Sequence, residues 1–322
     1  MTDSRVPRRT FLTAAAATVA GAAIGVAGTP GRARASFPDH PLDAAEPRHP
    51  TDASEPAPPH EIKLGVASYS LREFPLDKAL EMIKTLRTPY VNFKSVHIPY
   101  DKTPAELQEI RKHIEDEGIK IVGGGTITFD QDTDEGVEKY FIYAKNAGMP
   151  TIVCTGKPEV LPRVEKFAKQ YDIRIAIHNH GTEDKIFPSP YDVLKHVKGM
   201  DPRMGLCIDC GHTVRTGTDV VKAIIDAGPR LHDMHIKDLA DMSARDSQVA
   251  VGEGKLPIPG IFRALQTIKY PYYVNLEYEI NAKDPLPGMQ VSFAYMRGVL
   301  AGLAQSSVAM SPAPKNAKTR TS

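Results

Sequence analysis

The sequence predicts a single-domain α/β protein, a (β/α)8 barrel, and three observations lead there. Between residues 61 and 305, short apolar runs rich in β-branched residues alternate eight times with segments of helical period. Such alternation implies parallel strands with helices outside them, and eight repeats in roughly 250 residues match one closed barrel. The first strand-to-helix loop reads Ser68-Tyr69-Ser70-Leu71 instead of G-x-G-x-x-G, which disfavours a dinucleotide-binding sheet. Finally, ionisable residues gather where the apolar strands end. In barrels of this class that end carries the functional groups.

The elements follow in order. The first strand is 62–67, with a helix over 76–86. The second is 90–97, and its helix opens at Thr103-Pro104-Ala105-Glu106, a threonine cap with proline in the first turn, and closes near Gly118. The third strand is 119–123, with a helix over 134–147; Gly123-Gly124-Gly125 at its end suits close packing at the barrel mouth better than a phosphate cradle. Strands at 150–154 and 173–178 pair with helices over 158–170 and 190–197. The sixth strand is 204–209 with a helix over 218–227, and the seventh is 231–236, followed after a longer loop by a helix over 258–268. The eighth is 272–277, and the last helix runs over 288–304.

The ends of the chain read differently. Pro7-Arg8-Arg9-Thr10-Phe11-Leu12 precedes an Ala/Gly/Val stretch and Ala33-Arg34-Ala35, so 1–35 reads as a cleavable signal peptide resembling the twin-arginine type. That implies export to the periplasm or beyond, with the twin-arginine machinery as a partner. Residues 36–60 are Pro-rich and without apolar periodicity, a disordered linker that discounts His40, His49 and His60 as ligands. A polar tail, also read as disordered, occupies 306–322. The formal net charge of +1, with both signs interspersed, gives no basic stripe for nucleic acid and no polybasic membrane patch. Stable membrane insertion of the mature domain is not expected. Cys154, Cys207 and Cys210 are too few and odd in number for a disulfide framework, and read as small buried residues.

Of the histidines inside the predicted fold, His113 and His196 fall within helices and His232 starts a strand. His97, His178, His180, His212 and His235 fall at or just past strand ends, as do Asp209 and Glu277. His178, Asp209, His235 and Glu277 end the fifth to eighth strands, which are consecutive neighbours in a closed barrel, so their side chains can converge. Two imidazoles and two carboxylates suit one divalent ion of the Mn, Co, Zn or Fe(II) kind, with Mg less natural.

The motifs Ile175-Ala-Ile-His-Asn-His-Gly181, Cys207-Ile-Asp-Cys-Gly-His212, His232-Asp-Met-His-Ile-Lys-Asp238, Val251-Gly-Glu-Gly-Lys255 and Val274-Asn-Leu-Glu-Tyr-Glu279 resemble the xylose isomerase-like barrel superfamily, in particular its sugar phosphate isomerase/epimerase branch. The resemblance covers 63–304 and implies one metal held by Glu, Asp, His and Glu. Asp209, His235 and Glu277 carry over; His178 stands where many relatives have Glu, with His180 two residues on. A metal-bound imidazole has no lone pair left for proton transfer, so a second base must come from elsewhere. The His-rich fifth strand and the His-Ile-Lys-Asp element also resemble the inosose dehydratases of the superfamily.

The expected activity is therefore a metal-dependent sugar isomerase or epimerase working through an enediolate. Glu277 would move the proton, and His180, Lys94 or His97 would be the second acid/base. His212, Lys237, Tyr69 and the loop residue Glu253 are candidates for contacting substrate, with a salt bridge to Asp238 as the plain alternative for Lys237. Lys94 and His97 face opposite ways on a regular strand, and a bend before Pro99 would bring both to the mouth. Sugar stacking would use Tyr69, Phe74, Phe129 or Tyr278. Loss of a β-hydroxyl from the same enediolate would make the enzyme a dehydratase or lyase on a keto-sugar or inosose-like substrate. A non-catalytic sugar-binding barrel is the alternative outside enzymes.

Overall fold

A computed structural model of the chain describes residues 60–309. The expected signal peptide, nearly all of the linker and the tail beyond 309 lie outside the described residues. Eight parallel strands close into a barrel: β1 (Lys63–Ala67), β2 (Tyr90–Phe93), β3 (Lys120–Phe129), β4 (Thr151–Gly156), β5 (Arg174–His178), β6 (Met204–Asp209), β7 (Leu231–Ile236) and β10 (Tyr273–Leu276). A short antiparallel ribbon of β8 (Asp238–Leu239) and β9 (Gln248–Val249) follows β7. The strand order β1-β10-β7-β6-β5-β4-β3-β2 makes β5, β6, β7 and β10 consecutive, as the sequence implied.

The helices are α1 (Leu76–Thr85), α2 (Pro104–Asp116), α3 (Asp134–Asn146), α4 (Leu161–Tyr171), α5 (Pro190–Val197), α6 (Cys210–Arg215), α7 (Val220–Ala227), α8 (Ile258–Thr267) and α9 (Leu286–Ala309). Thr103 caps α2 in a full capping box with Glu106, as its sequence foretold. Among the described residues no helix is long and apolar enough to cross a membrane.

The β8–β9 ribbon was not foreseen, α9 continues to Ala309 past the expected start of the tail at 306, and three further elements depart from expectation. β2 stops at Phe93, because the chain turns at once: the His97 and Ile98 N–H groups both donate to the Lys94 carbonyl. β3 continues through its three glycines to Phe129, with an irregular register beside β4 between Gly124 and Ile127. The six-residue α6 was not anticipated; the Asp209 carboxylate starts it by accepting from the His212 N–H.

Strand alternation sorts the core into two parts. One set of side chains, including Ile175, Ile177, Leu206, Ile208, Met234, Ile236, Val274 and Leu276, belongs to the main apolar core. The other set points into the barrel, where Val153, Ala176 and Cys207 form a small separate apolar cluster. In the same layer the Asp233 carboxylate accepts from Asn92 Nδ2 at 2.8 Å, across the interior from the non-adjacent β2, and from Asn275 Nδ2 at 2.9 Å on the adjoining β10. This layer is a floor. Two residues further along β5, β6, β7 and β10 come His178, Asp209, His235 and Glu277.

Candidate metal centre

The four strand-end residues converge. His178 Nε2 lies 3.0 Å from His235 Nδ1 and 3.7 Å from Asp209 Oδ2, and His235 Nδ1 lies 3.2 Å from Glu277 Oε2. All four are buried, and their ligating atoms fall within 4.8 Å of one another. Four ligands about 2.1 Å from a tetrahedral ion stand roughly 3.4 Å apart. The observed separations bracket that value, so the donor set fits a divalent ion. The second ring nitrogens, His178 Nδ1 and His235 Nε2, have no hydrogen-bond partner among the described residues. Asp209 Oδ2 has the Lys237 ammonium at 2.9 Å but no directed hydrogen bond, which leaves a buried carboxylate oxygen available to a cation.

The charges are set by the same neighbours. Burial, then the nearby His180 and His235, hold His178 well below its usual pKa, so its ring is neutral and able to ligate. For His235, burial opposes protonation, but Glu277 with Asp233 and Asp209 outweighs it and lifts the pKa to about 8. Burial would raise Asp209 and Glu277. Lys237 at Asp209, and His235 with Lys237 at Glu277, more than offset it and keep both ionised.

Lys237 is not a rim residue paired with Asp238. Its Nζ lies 2.9 Å from Asp209 Oδ2, 3.0 Å from Glu277 Oε2 and 2.6 Å from Glu279 Oε2, inside the cluster. Asp238 instead accepts from the backbone N–H groups of Leu239, Gly252, Gly254 and Leu256 and so folds the loop after β9. Gly252 in that loop has φ +102°, and a Cβ there would lie 2.4 Å from the Tyr295 ring, so only glycine fits.

Other predicted site residues are placed as follows. His180 sits above the cluster, its ring 4.2 Å from that of His178, with Nδ1 3.5 Å from Asp184. His212 lies beside both rings, and its Nδ1 accepts from Arg215 at 2.5 Å, which leaves any ring proton on Nε2. Lys94 lies past the end of β2 with Nζ 5.2 Å from the Tyr69 ring centroid; burial lowers its pKa, while Glu277 and Glu279 work the other way. His97 does not join them. Its ring nitrogens are engaged by Ser68 Oγ at 2.9 Å and the Phe74 carbonyl at 3.2 Å, so it braces the turn after β2. Glu253 is exposed in the loop after β9 and is not among the converging residues. Of the proposed stacking rings, Phe129 and Tyr278 are buried, whereas Tyr69 and Phe74 are half-buried.

Sequence reasoning missed Glu279 and Gln248. Gln248 donates to the Glu277 carbonyl at 2.7 Å and accepts from the Glu279 N–H at 2.9 Å, fixing the segment that carries both acids. Glu279 has a signal in sequence, since it stands two residues past Glu277 and shares its face of extended chain. A cavity of about 290 Å³ adjoins the cluster, lined by Lys237, Glu279, His212, Arg215, Arg245 and Gln248 among others.

Solved structures share this architecture. A structure described as IolI protein with a binding zinc atom is 17% identical, with 75% of this chain and 99% of that chain covered and a TM-score of 0.63. A structure of L-ribulose 3-epimerase is 17% identical, over 80% and 100% of the two chains, with a TM-score of 0.64. The probable 3-DHS dehydratase AsbF from Bacillus anthracis is 15% identical, over 73% and 99%, with a TM-score of 0.61. At these identities the likeness speaks for the fold. No curated protein gives a significant sequence match. The family model for the xylose isomerase-like TIM barrel matches residues 88–298, most of the barrel, and the chain belongs to that family.

Proposed function

We propose that the chain is a divalent-metal-dependent enzyme that moves a proton beside the carbonyl of a sugar or keto-sugar, as an isomerase or epimerase of the sugar phosphate isomerase/epimerase branch. The observation that carries this is the convergence of His178, Asp209, His235 and Glu277 at the C-terminal mouth of the barrel, beside a polar cavity. Two imidazoles and two carboxylates favour Mn, Co, Zn or Fe(II) over Mg, and the IolI structure holds zinc in this fold. The ion, when bound, supplies a Lewis acid for adjacent carbonyl and hydroxyl oxygens.

The chain's own residues do the rest. Glu277, whose side chain is 11% exposed, takes the proton from the carbon next to the carbonyl and returns it. Lys94 or His180 is the second acid/base, the former favoured by the burial that lowers its pKa and by lying within the electrostatic reach of Glu277. His212 and Lys237 hold substrate oxygens, Tyr69 offers a ring face, and Glu253 belongs to a loop at the rim. His97 is a positioning residue. Export through the twin-arginine route remains part of this proposal, on the strength of Arg8-Arg9 and the Ala-x-Ala motif.

A dehydratase or lyase is the second reading, favoured by His178 where relatives place a carboxylate base and by the dehydratase among the similar structures. Incubating metal-loaded protein with a panel of ketoses and keto-glycosides in D2O, followed by NMR, separates these. Deuterium beside the carbonyl with an isomer or epimer formed supports the proposal. An unsaturated product with no epimer supports the lyase. Binding without exchange on any substrate leaves a sugar-binding barrel.

A further inference from the structure

We propose that Lys237 is an internal counter-ion that competes with the metal for Asp209 Oδ2 and Glu277 Oε2, and that metal loading transfers its ammonium wholly onto Glu279 at the wall of the neighbouring cavity. This rests on the metal reading above. The ammonium lies 2.9 and 3.0 Å from those two oxygens. They are the same atoms that face His178 Nε2 at 3.7 Å and His235 Nδ1 at 3.2 Å. An ion bound at roughly 2.0–2.2 Å would use the lone pairs that now face Lys237. Two cations a few Å apart in a buried space repel strongly. One must leave, and only the lysine is tethered.

The geometry provides its destination. Glu279 Oε2 already lies 2.6 Å from Nζ, on a side chain that is 38% exposed and not among the converging four. Gln248 holds the Glu279 backbone in place. The lysine stem runs against Gly211, where a Cβ would come within 2.8 Å of Lys237 Cγ and Cδ, so the head group is the part free to pivot. Both Lys237 and Glu279 line the cavity. Without metal, the ammonium neutralises two buried carboxylates and keeps the site folded. With metal, the same ammonium turns toward the cavity, where it can hold a substrate oxygen. Metal occupancy therefore sets the substrate-facing cation.

The test uses metal-free full-length protein titrated calorimetrically with Mn2+ and with Zn2+, alongside melting curves. Lys237→Met should bind metal about tenfold or more tightly than wild type. It should melt lower than wild type when metal-free and close that gap when saturated. Glu279→Gln should weaken metal binding about tenfold in the presence of Lys237 and leave it unchanged in the Lys237→Met background. Metal binding indifferent to Lys237→Met, or a Glu279→Gln effect that persists without Lys237, overturns the inference alone. If wild type takes up neither ion, the metal reading fails and the inference with it. Should Lys237→Met fold only with metal present, Lys237→Gln takes its place in the same cycle: a Glu279→Gln effect lost in that background supports the transfer, and one that persists overturns it.

Discussion

Replacing Asp238 with alanine should destabilise the domain more than almost any other change outside the core. Asp238 is 1% exposed, and its carboxylate accepts four backbone N–H groups: Leu239 at 2.9 Å and Leu256 at 3.0 Å on one oxygen, Gly252 at 3.0 Å and Gly254 at 3.1 Å on the other. Hydrogen bonds to a charged group contribute about 1.5–3 kcal/mol each, and an orphaned buried donor costs about 1–3 kcal/mol. Gly252 is exposed and regains water, whereas Leu256 is buried and does not. The sum is not additive, and a loss of about 3–5 kcal/mol is expected. For a domain of this size that lowers the melting temperature by on the order of 10 °C. Asp238→Asn should rescue little, because its amide would turn a donor toward one of the two donor pairs. Calorimetric melting of the metal-free proteins measures this, with limited proteolysis near Glu253 as a second readout. A drop below about 1 kcal/mol, or full rescue by asparagine, would refute the reasoning.

Further predictions follow from the same contacts. Burial, outweighing the Ile175 carbonyl bond, lowers His232 to about 4, while an unfolded histidine titrates near 6.5. The unfolded chain alone binds that proton between those values, so the His232 contribution is fully present above pH 6.5 and is lost toward pH 4, on the order of 3 kcal/mol in all. His232→Asn should flatten the stability profile in that window, and an unchanged slope would show that other groups dominate. His97→Gln should cost roughly 1–3 kcal/mol of stability by denaturant titration yet leave metal stoichiometry unchanged, since its partners are Ser68 and Phe74. His178→Ala should weaken metal binding by at least about tenfold, whereas His180→Ala should stay near wild type; the reverse pattern would reassign the fifth-strand ligand.

Much of the fold and of the candidate metal centre is legible in the amino-acid sequence. The limits of β6 and β7 coincide with the runs Met204–Asp209 and Leu231–Ile236, because β-rich apolar runs end there in polar residues. The consecutive placement of β5, β6, β7 and β10 follows from closure alone. What stays hidden depends on local turns and on long-range side-chain contacts. The turn at Lys94 ends β2 early and hands the His97 ring to Ser68 and the Phe74 carbonyl; Pro99 announced a bend here, but not which side chain the bend would leave at the mouth. Reading Lys237 against its neighbour Asp238 fails because adjacent residues on extended chain point apart. The residues on its own face, Asp233 and His235, point inward, and the strand beside it supplies Glu277 and Glu279. Period-two reasoning applied to both strands finds that pairing.

The most direct test of the central claim is the metal content of the purified protein, wild type against Glu277→Gln, each reloaded with Mn2+ or Zn2+ and then desalted. The four converging donors predict about one ion per chain in wild type and loss of most of it in the variant. A wild type that holds no ion after reloading, or a variant that retains it fully, would contradict the account.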